Sequence, residues 1–326
     1  MLKLENLSKI YHVGTFGGTE LLAVNEVSFQ VGEGEVVSLI GESGSGKSTI
    51  GKMILRLISK SAGSITFNGV DVSSLHGSQL KEYYRKVQGV FQDPFSSYNP
   101  IFKADRVFKL IRDEFFPGTN DVEWIAKVRD SVEDVGLNPD HVLQKYPHQL
   151  SGGQLQRLLI ARALLLDVEL LVADEIISML DASTRIDVLN LLADLTSQGL
   201  SILFITHDLS LGYYISQKAV ILYRGCVAEM GATEKIYNRP LHPYTKMLMA
   251  SVPRLDRKWD EKVVEIALEG KNAELEDGCV FYHRCPAADA AMGCAERMPP
   301  LIETEPNHFV ACFCYQEEQA AVKDIS

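Results

Sequence analysis

Residues 35–49 read EVVSLIGESGSGKST, and the organisation of the chain follows from them. The apolar run 36–40 predicts a short buried strand. Gly41 breaks it into a glycine-rich turn, and an apolar-periodic helix begins at Lys47. Gly41, Gly46, Lys47 and Ser48 fill the pattern G-x-x-x-x-G-K-[ST], a phosphate-binding loop. Glycines let backbone N–H groups point inward at phosphate oxygens, in conformations a side chain would obstruct. The helix N-terminus adds partial positive charge at the same place. Ser43, Gly44, Ser45, Gly46, Lys47, Ser48 and Thr49 are therefore the candidate phosphate contacts. Lys47 reaches the outer phosphates, and the Ser48 hydroxyl suits Mg²⁺.

At 326 residues, the chain has room for one large domain with an appendage, or for two domains. Its 46% hydrophobic and 23% charged residues are ordinary for a globular protein. A net charge of −11 argues against a broad nucleic-acid-binding surface. No apolar run approaches the ~18 residues of a membrane span. The start, MLKLENLSKI, lacks the apolar centre of a signal peptide. The expectation is a cytoplasmic protein that reaches a membrane only through partners. Six cysteines in such a chain point to metal or free thiols rather than disulfides.

In chain order, the alternation over 2–7 predicts a strand, with Tyr11 after it and a flexible stretch at 14–19. A second strand is expected over 27–31, making an antiparallel β-layer. Tyr11 suits stacking on a purine and equally suits an ordinary strand end; the residues alone leave both open. The helix from Lys47 is expected to bury Ile50, Met53, Ile54, Leu57 and Ile58 on one face. Residues 64–67 followed by Asn68-Gly69 predict a strand and a tight turn. The strand expected over 87–91 ends at Gln92, before a Pro- and Ser-rich break. Residues 101–146 are mostly helical in pattern, with breaks at Pro117-Gly118 and Asn138-Pro139, and suit a partner-contacting insertion.

Residues 150–157 read LSGGQLQR, with Ser151 a good N-cap for a helix over 154–166. Its N-terminus is a second place for anionic oxygens, although a plain capped helix explains it as well. Residues 169–173, ELLVA, predict a buried strand ending in Asp174-Glu175. An acidic pair at such a strand end lies where α/β sheets bind ligands. Asp174 can hold Mg²⁺, and Glu175 can take a proton from an attacking water. Asp181 follows in a turn, then a helix over 184–198. His207 comes directly after a strand over 201–205, and a strand pair is expected over 219–223 and 226–230.

Together these stretches resemble the nucleotide-binding subunit of an ATP-binding cassette (ABC) transporter, over about residues 1 to 315. The resemblance implies an α/β, ABC-type P-loop NTPase: a RecA-like parallel sheet core, an antiparallel β-layer and a helical insertion, with a small cysteine-containing extension. It places the nucleotide-binding domain at 1–237, the insertion at about 93–150 and the C-terminal region at 238–326. It implies ATP and Mg²⁺. Tyr11 would stack on adenine. Gln92 would touch Mg²⁺ and sense the membrane subunits. Ser151, Gly152, Gly153 and Gln154 would cap the γ-phosphate of the ATP held by the other ATPase subunit. Asp174 would be the magnesium aspartate, Glu175 the catalytic base, Asp181 a bridge between the two ATP sites, and His207 the switch histidine. The chain departs from the family at Ile176, where proline is usual, and at Met179, where a small residue is usual.

Residues 238–254, NRPLHPYTKMLMASVPR, resemble the oligopeptide and dipeptide importer ATPases. Cys279, Cys285, Cys294 and Cys312 resemble that group's cysteine tail, which in some members binds a [4Fe–4S] cluster. Zinc or no metal stays open, since thiolate count does not select the metal, and Cys314 can replace Cys312. Cys226 reads as an ordinary buried residue. The resemblance implies an importer motor at the cytoplasmic face of the membrane. Its partners would be a second ATPase subunit in a heterodimer, two membrane permease subunits and, through them, an extracytoplasmic solute-binding protein, without nucleic acid. A soluble ABC ATPase acting on nucleic acid or ribosomes is the competing class. Nickel-chelate or oligosaccharide cargo is the competing substrate.

Overall fold

A computed structural model describes residues 1–13, 18–251 and 278–316. The chain divides into two compact units. The first comprises Met1–Gln30, Val36–Asp71 and Ile205–Ser326; the second comprises Val31–Glu35 and Val72–Phe204.

The first unit contains a four-stranded sheet in the order Thr19–Val31, Leu2–Val13, Ala62–Phe67, Val70–Asp71. Leu2, Leu4 and Leu7 are buried while Lys3 and Glu5 face out, as a half-buried strand requires. The first strand runs to Val13, so Tyr11 lies inside it and not after it. Of the stretch expected to be flexible, 14–17 lie outside the described residues. Asn68 and Gly69, at φ +49° and +80°, make the expected two-residue hairpin turn.

A second layer of this unit orders the strands Ile302–Glu305, His308–Val310, Cys226–Ala232, Lys218–Tyr223 and Val36–Ile40. Val36–Ile40 is buried throughout and runs parallel to Lys218–Tyr223; the remaining pairs are antiparallel. The two strands from the cysteine-bearing tail were not expected. They join the edge of Cys226–Ala232, pairing Gly231 with His308 and Glu229 with Val310. Phe281, also from the tail, packs in one core with Ile40, Ile221, Tyr223 and Tyr244.

The helix Lys47–Ile54 is shorter than its apolar pattern suggests. Arg56 turns left-handed at φ +53°. Its N–H donates to the Met53 carbonyl, and that of Leu57 donates to Lys52. This closing motif satisfies the last carbonyls and ends the helix. Leu57 is left exposed and Ile58 half-buried, outside the face predicted for them.

In the second unit, Val87–Val90 pairs in parallel with Leu170–Asp174, and Ser201–Thr206 is the next strand. The expected helical insertion forms Arg106–Phe115, Asp121–Asp134 and Pro139–Val142. Asn120 and Asn138 cap the last two, and Pro139 occupies a first-turn position where its missing N–H is harmless. Among the described residues, no helix is long and apolar enough to cross a membrane.

Candidate functional site

The phosphate loop joins Val36–Ile40 to Lys47–Ile54 as expected. Two of its glycines have no substitute. A Cβ on Gly41 would lie 2.2 Å from the Leu222 carbonyl oxygen. One on Gly46, at φ +99°, would lie 2.5 Å from that of Ala23. Lys47 is buried, and its Nζ donates to the carbonyls of Gly41 and Glu42 at 2.8 Å each and to Ser45 Oγ at 3.3 Å. The lysine thereby draws the loop around its own ammonium. Ser43 and Gly44 are exposed, Ser48 and Thr49 half-buried. Tyr11 is half-buried, with Lys9 Nζ 5.0 Å from its ring centroid. His207 is exposed at the end of Ser201–Thr206. Asp208 beside it caps the next helix by accepting from the Ser210 and Leu211 amides.

The second unit carries the other candidates. The register pairs Val90 with Ala173, so Asp174, the last residue of its strand, and Gln92, two residues past the end of the neighbouring one, lie at the same end of adjacent parallel strands. Asp174 is buried and Glu175 half-buried. Glu175 adopts φ +50°, a left-handed conformation uncommon outside glycine. Its carbonyl accepts from Ser178 N at 3.1 Å and Ser178 Oγ at 2.8 Å, which holds the turn. Strain of this kind concentrates at functional positions.

Ser151 caps Gly152–Leu164 in a reciprocal box. Its Oγ accepts from Gln154 N at 3.2 Å, and Gln154 Oε1 accepts from Ser151 N at 2.9 Å. Ser151 is exposed and keeps a hydroxyl proton to donate. A Cβ on Gly153 would lie 2.6 Å from Thr184 Cγ2, so this turn packs against the start of Ala182–Ser197. Asp181 caps that helix. The Ser183 hydroxyl at 2.6 Å, then the Thr184 amide and hydroxyl, hold its carboxyl well below the usual carboxylate range. A groove of about 830 Å³ in the insertion is lined by Ile101, Phe102, Phe108, Trp124, Ile125 and Tyr146, among others. Ile101 is 75% exposed.

Cys279, Cys285, Cys294, Cys312 and Cys314 line one pocket together with His242, Phe281 and Phe313. The thiols converge on this pocket. Among the described residues no group of three or more His, Cys, Asp or Glu is placed to hold a metal ion. The pocket encloses about 20 Å³, the room of one water molecule. Burial pushes the thiols of Cys285 and Cys312 above the ordinary cysteine value. Cys226 is buried, as expected.

One relationship carried no signal in the spacing. Glu42, the second residue of the phosphate loop, is held by Arg284 and Tyr244 from the C-terminal region. An arginine next to a cysteine-rich run reads as a surface charge until the fold brings it home.

The sequence pattern of the family described as "ABC transporter" matches residues 24–178, and that of "Oligopeptide/dipeptide transporter, C-terminal region" matches 228–294. A "putative peptide import ATP-binding protein" of Brucella ovis is 41% identical over 316 residues, covering 96% of this chain and 97% of that protein. The "oligopeptide transport ATP-binding protein AppF" of Bacillus subtilis is 40% identical over 305 residues, covering 91% and 90%. Among solved structures, the ATP-binding cassette MJ0796, in a dimeric post-hydrolysis state with ADP and Pi, superposes with a TM-score of 0.64. It is 28% identical and covers 72% of this chain and 99% of that one.

Proposed function

The chain belongs to the ABC transporter ATP-binding proteins, and on that premise we propose that it is the ATP-hydrolysing motor subunit of an importer of di- or oligopeptides. The observation that carries the reading is the phosphate loop, closed around Lys47 at the end of a buried strand.

In this proposal Lys47 and the loop amides bind the outer phosphates, and Tyr11 stacks on adenine. The Ser48 hydroxyl and the Asp174 carboxylate, with Gln92, are hard oxygen donors that would hold Mg²⁺, which neutralises phosphate charge when bound. Glu175 takes the proton of the attacking water and His207 holds the γ-phosphate. Ser151, Gly152, Gly153 and Gln154 close on the ATP of a second ATPase subunit, in a heterodimer, with Asp181 between the two sites. Ser151's exposure, with a donor to spare, supports that reading. Closure excludes water and fixes geometry, which is most of what phosphoryl transfer needs. Two permease subunits would dock at the insertion; its apolar groove supports this. Through them a solute-binding protein delivers cargo, with the motor on the cytoplasmic face. The region 238–326, on this reading, is the importer-type extension.

Glu175→Gln tests the reading in the assembled transporter. ATP binding should persist while hydrolysis falls roughly 10²–10⁴-fold. Wild-type turnover in that variant removes Glu175 as the base.

A [4Fe–4S] cluster on Cys279, Cys285, Cys294 and Cys312 stays a proposal supported by the convergence of the thiols alone, and no step is routed through it. Iron and sulphide analysis of anaerobically purified protein decides it: about four irons per chain support it, and none removes it.

A further inference from the structure

We propose that Arg284 is a positioning residue for the phosphate loop, setting its affinity for the triphosphate by holding Glu42. The inference rests on the ATP-binding reading above and adds a part that comes from outside the nucleotide-binding motifs.

Glu42 presents a difficulty for a phosphate loop. It puts a carboxylate beside the site where a highly negative ligand binds. The fold answers with a forked pair. Arg284 Nη1 donates to Glu42 Oε2 and Nη2 to Oε1, both at 2.9 Å. Two parallel charge-assisted bonds cancel the charge and also fix the direction of the carboxylate, which a lysine would do poorly.

The arginine is itself braced. Its side chain is 3% exposed, and Nη1 also donates to the Tyr223 hydroxyl at 3.3 Å. Its guanidinium lies 5.5 Å from the Tyr223 ring centroid and 5.8 Å from that of Phe281. The Glu42 carboxylate raises the guanidinium's pKa further above its ordinary value, so the cation is permanent.

The backbone of Glu42 is held too. Its N–H donates to the hydroxyl of buried Tyr244 at 3.0 Å, and its carbonyl accepts from Lys47 Nζ at 2.8 Å. Side chain, N–H and C=O of one loop residue are thus each engaged, two of the three by the C-terminal region. The Gly41–Glu42 peptide offers its carbonyl to Lys47 and its N–H to Tyr244, while Arg284 holds the side chain that springs from it. Loosening Arg284 therefore leaves an uncompensated carboxylate in the loop and frees the segment that must enclose the phosphates.

The test is a double-mutant cycle on the full chain, with ATP·Mg²⁺ affinity read by titration calorimetry. Arg284→Met should weaken binding roughly 10- to 100-fold where Glu42 is present, and by less than about twofold in a Glu42→Gln background. Arg284→Lys, which keeps the charge but not the fork, should fall between wild type and Arg284→Met. Thermal unfolding without nucleotide reports any general loss of structure. A merely structural role for Arg284 lowers the midpoint equally in both backgrounds without this dependence on Glu42.

Wild-type affinity in Arg284→Met, or an equal loss in both backgrounds, overturns the proposal while leaving the ATPase reading intact. If Arg284→Met does not fold, wild-type affinity in Arg284→Lys overturns it. A wild-type chain that binds no ATP overturns the ATPase reading first, and this inference with it.

Discussion

Glu229 Oε1 lies 2.7 Å from His308 Nε2, with both side chains shut off from solvent. The carboxylate also accepts the backbone N–H groups of Leu241 at 3.0 Å and His242 at 2.9 Å. One buried acid thus ties the start of Pro243–Ala250 and the tail strand His308–Val310 to the strand Cys226–Ala232. Removing it leaves three donors without an acceptor. Glu229→Ala should cost about 3–5 kcal/mol and Glu229→Gln about 1–3 kcal/mol, measured by denaturant unfolding. A Glu229→Ala loss under about 1 kcal/mol would show that water replaces the carboxylate.

His242 makes the fold sensitive to acid. Its Nδ1 accepts the Tyr244 N–H at 3.0 Å, which requires the neutral ring. Burial pushes its pKa down to about 4, with Glu229 pulling back in the other direction. An unfolded imidazole titrates near ~6.5. Above that pH neither state is charged, and the contribution is complete. As pH falls from about 6.5 towards 4, the unfolded chain takes up a proton the folded chain refuses. Stability should then drop by at most about 1.4 kcal/mol per pH unit, on the order of 2–3 kcal/mol in all. His242→Asn keeps an acceptor at the helix cap and removes the titration. Urea unfolding at pH 7 and pH 4.5 should show a smaller acid loss in the variant; identical losses refute the assignment.

Gly41→Ala and Gly46→Ala should each abolish measurable ATP binding. The added carbons would meet backbone oxygens at 2.2 and 2.5 Å, so main chain has to move. A destabilisation of about 1–3 kcal/mol should accompany the loss. Gly44→Ala, whose Cβ meets nothing within 4 Å, should be milder despite its φ of +81°. Equal affinity loss in all three would mean that glycine's flexibility, not these contacts, sets the loop.

The two departures from the family's pattern next to Glu175 should behave oppositely. Ile176 is 1% exposed and fills core, so Ile176→Ala should cost about 2–5 kcal/mol. Met179 is 61% exposed, so Met179→Ala should change stability by no more than about 0.5 kcal/mol. Thermal melts of the two variants check both. A large loss in Met179→Ala would mean that its side chain is covered in the folded protein.

Much of the chain was legible because its signals are local. The phosphate loop, the Asn68-Gly69 turn and the Ser151 cap each span a few residues, and their chemistry operates at that range. The Lys47 helix was overextended for the same reason. Apolar periodicity continues through Leu57 and Ile58, while the left-handed turn at Arg56 that ends the helix leaves no mark in that period. The cysteine tail was read by its count of thiols. Whether thiols become ligands depends on spacing in three dimensions and on burial, and the structure places them around a pocket the size of one water.

By itself, the amino-acid order determined that a strand, a glycine turn and a helix would build a phosphate cradle, because hydrogen bonds between near neighbours decide those shapes. Only the tertiary structure decided what steadies that cradle. Glu42 and Arg284 are 242 residues apart, and no local preference relates them. They meet because Phe281 and Tyr244 bury their rings in the same core as the cradle's strand, and that burial carries the arginine to the acid.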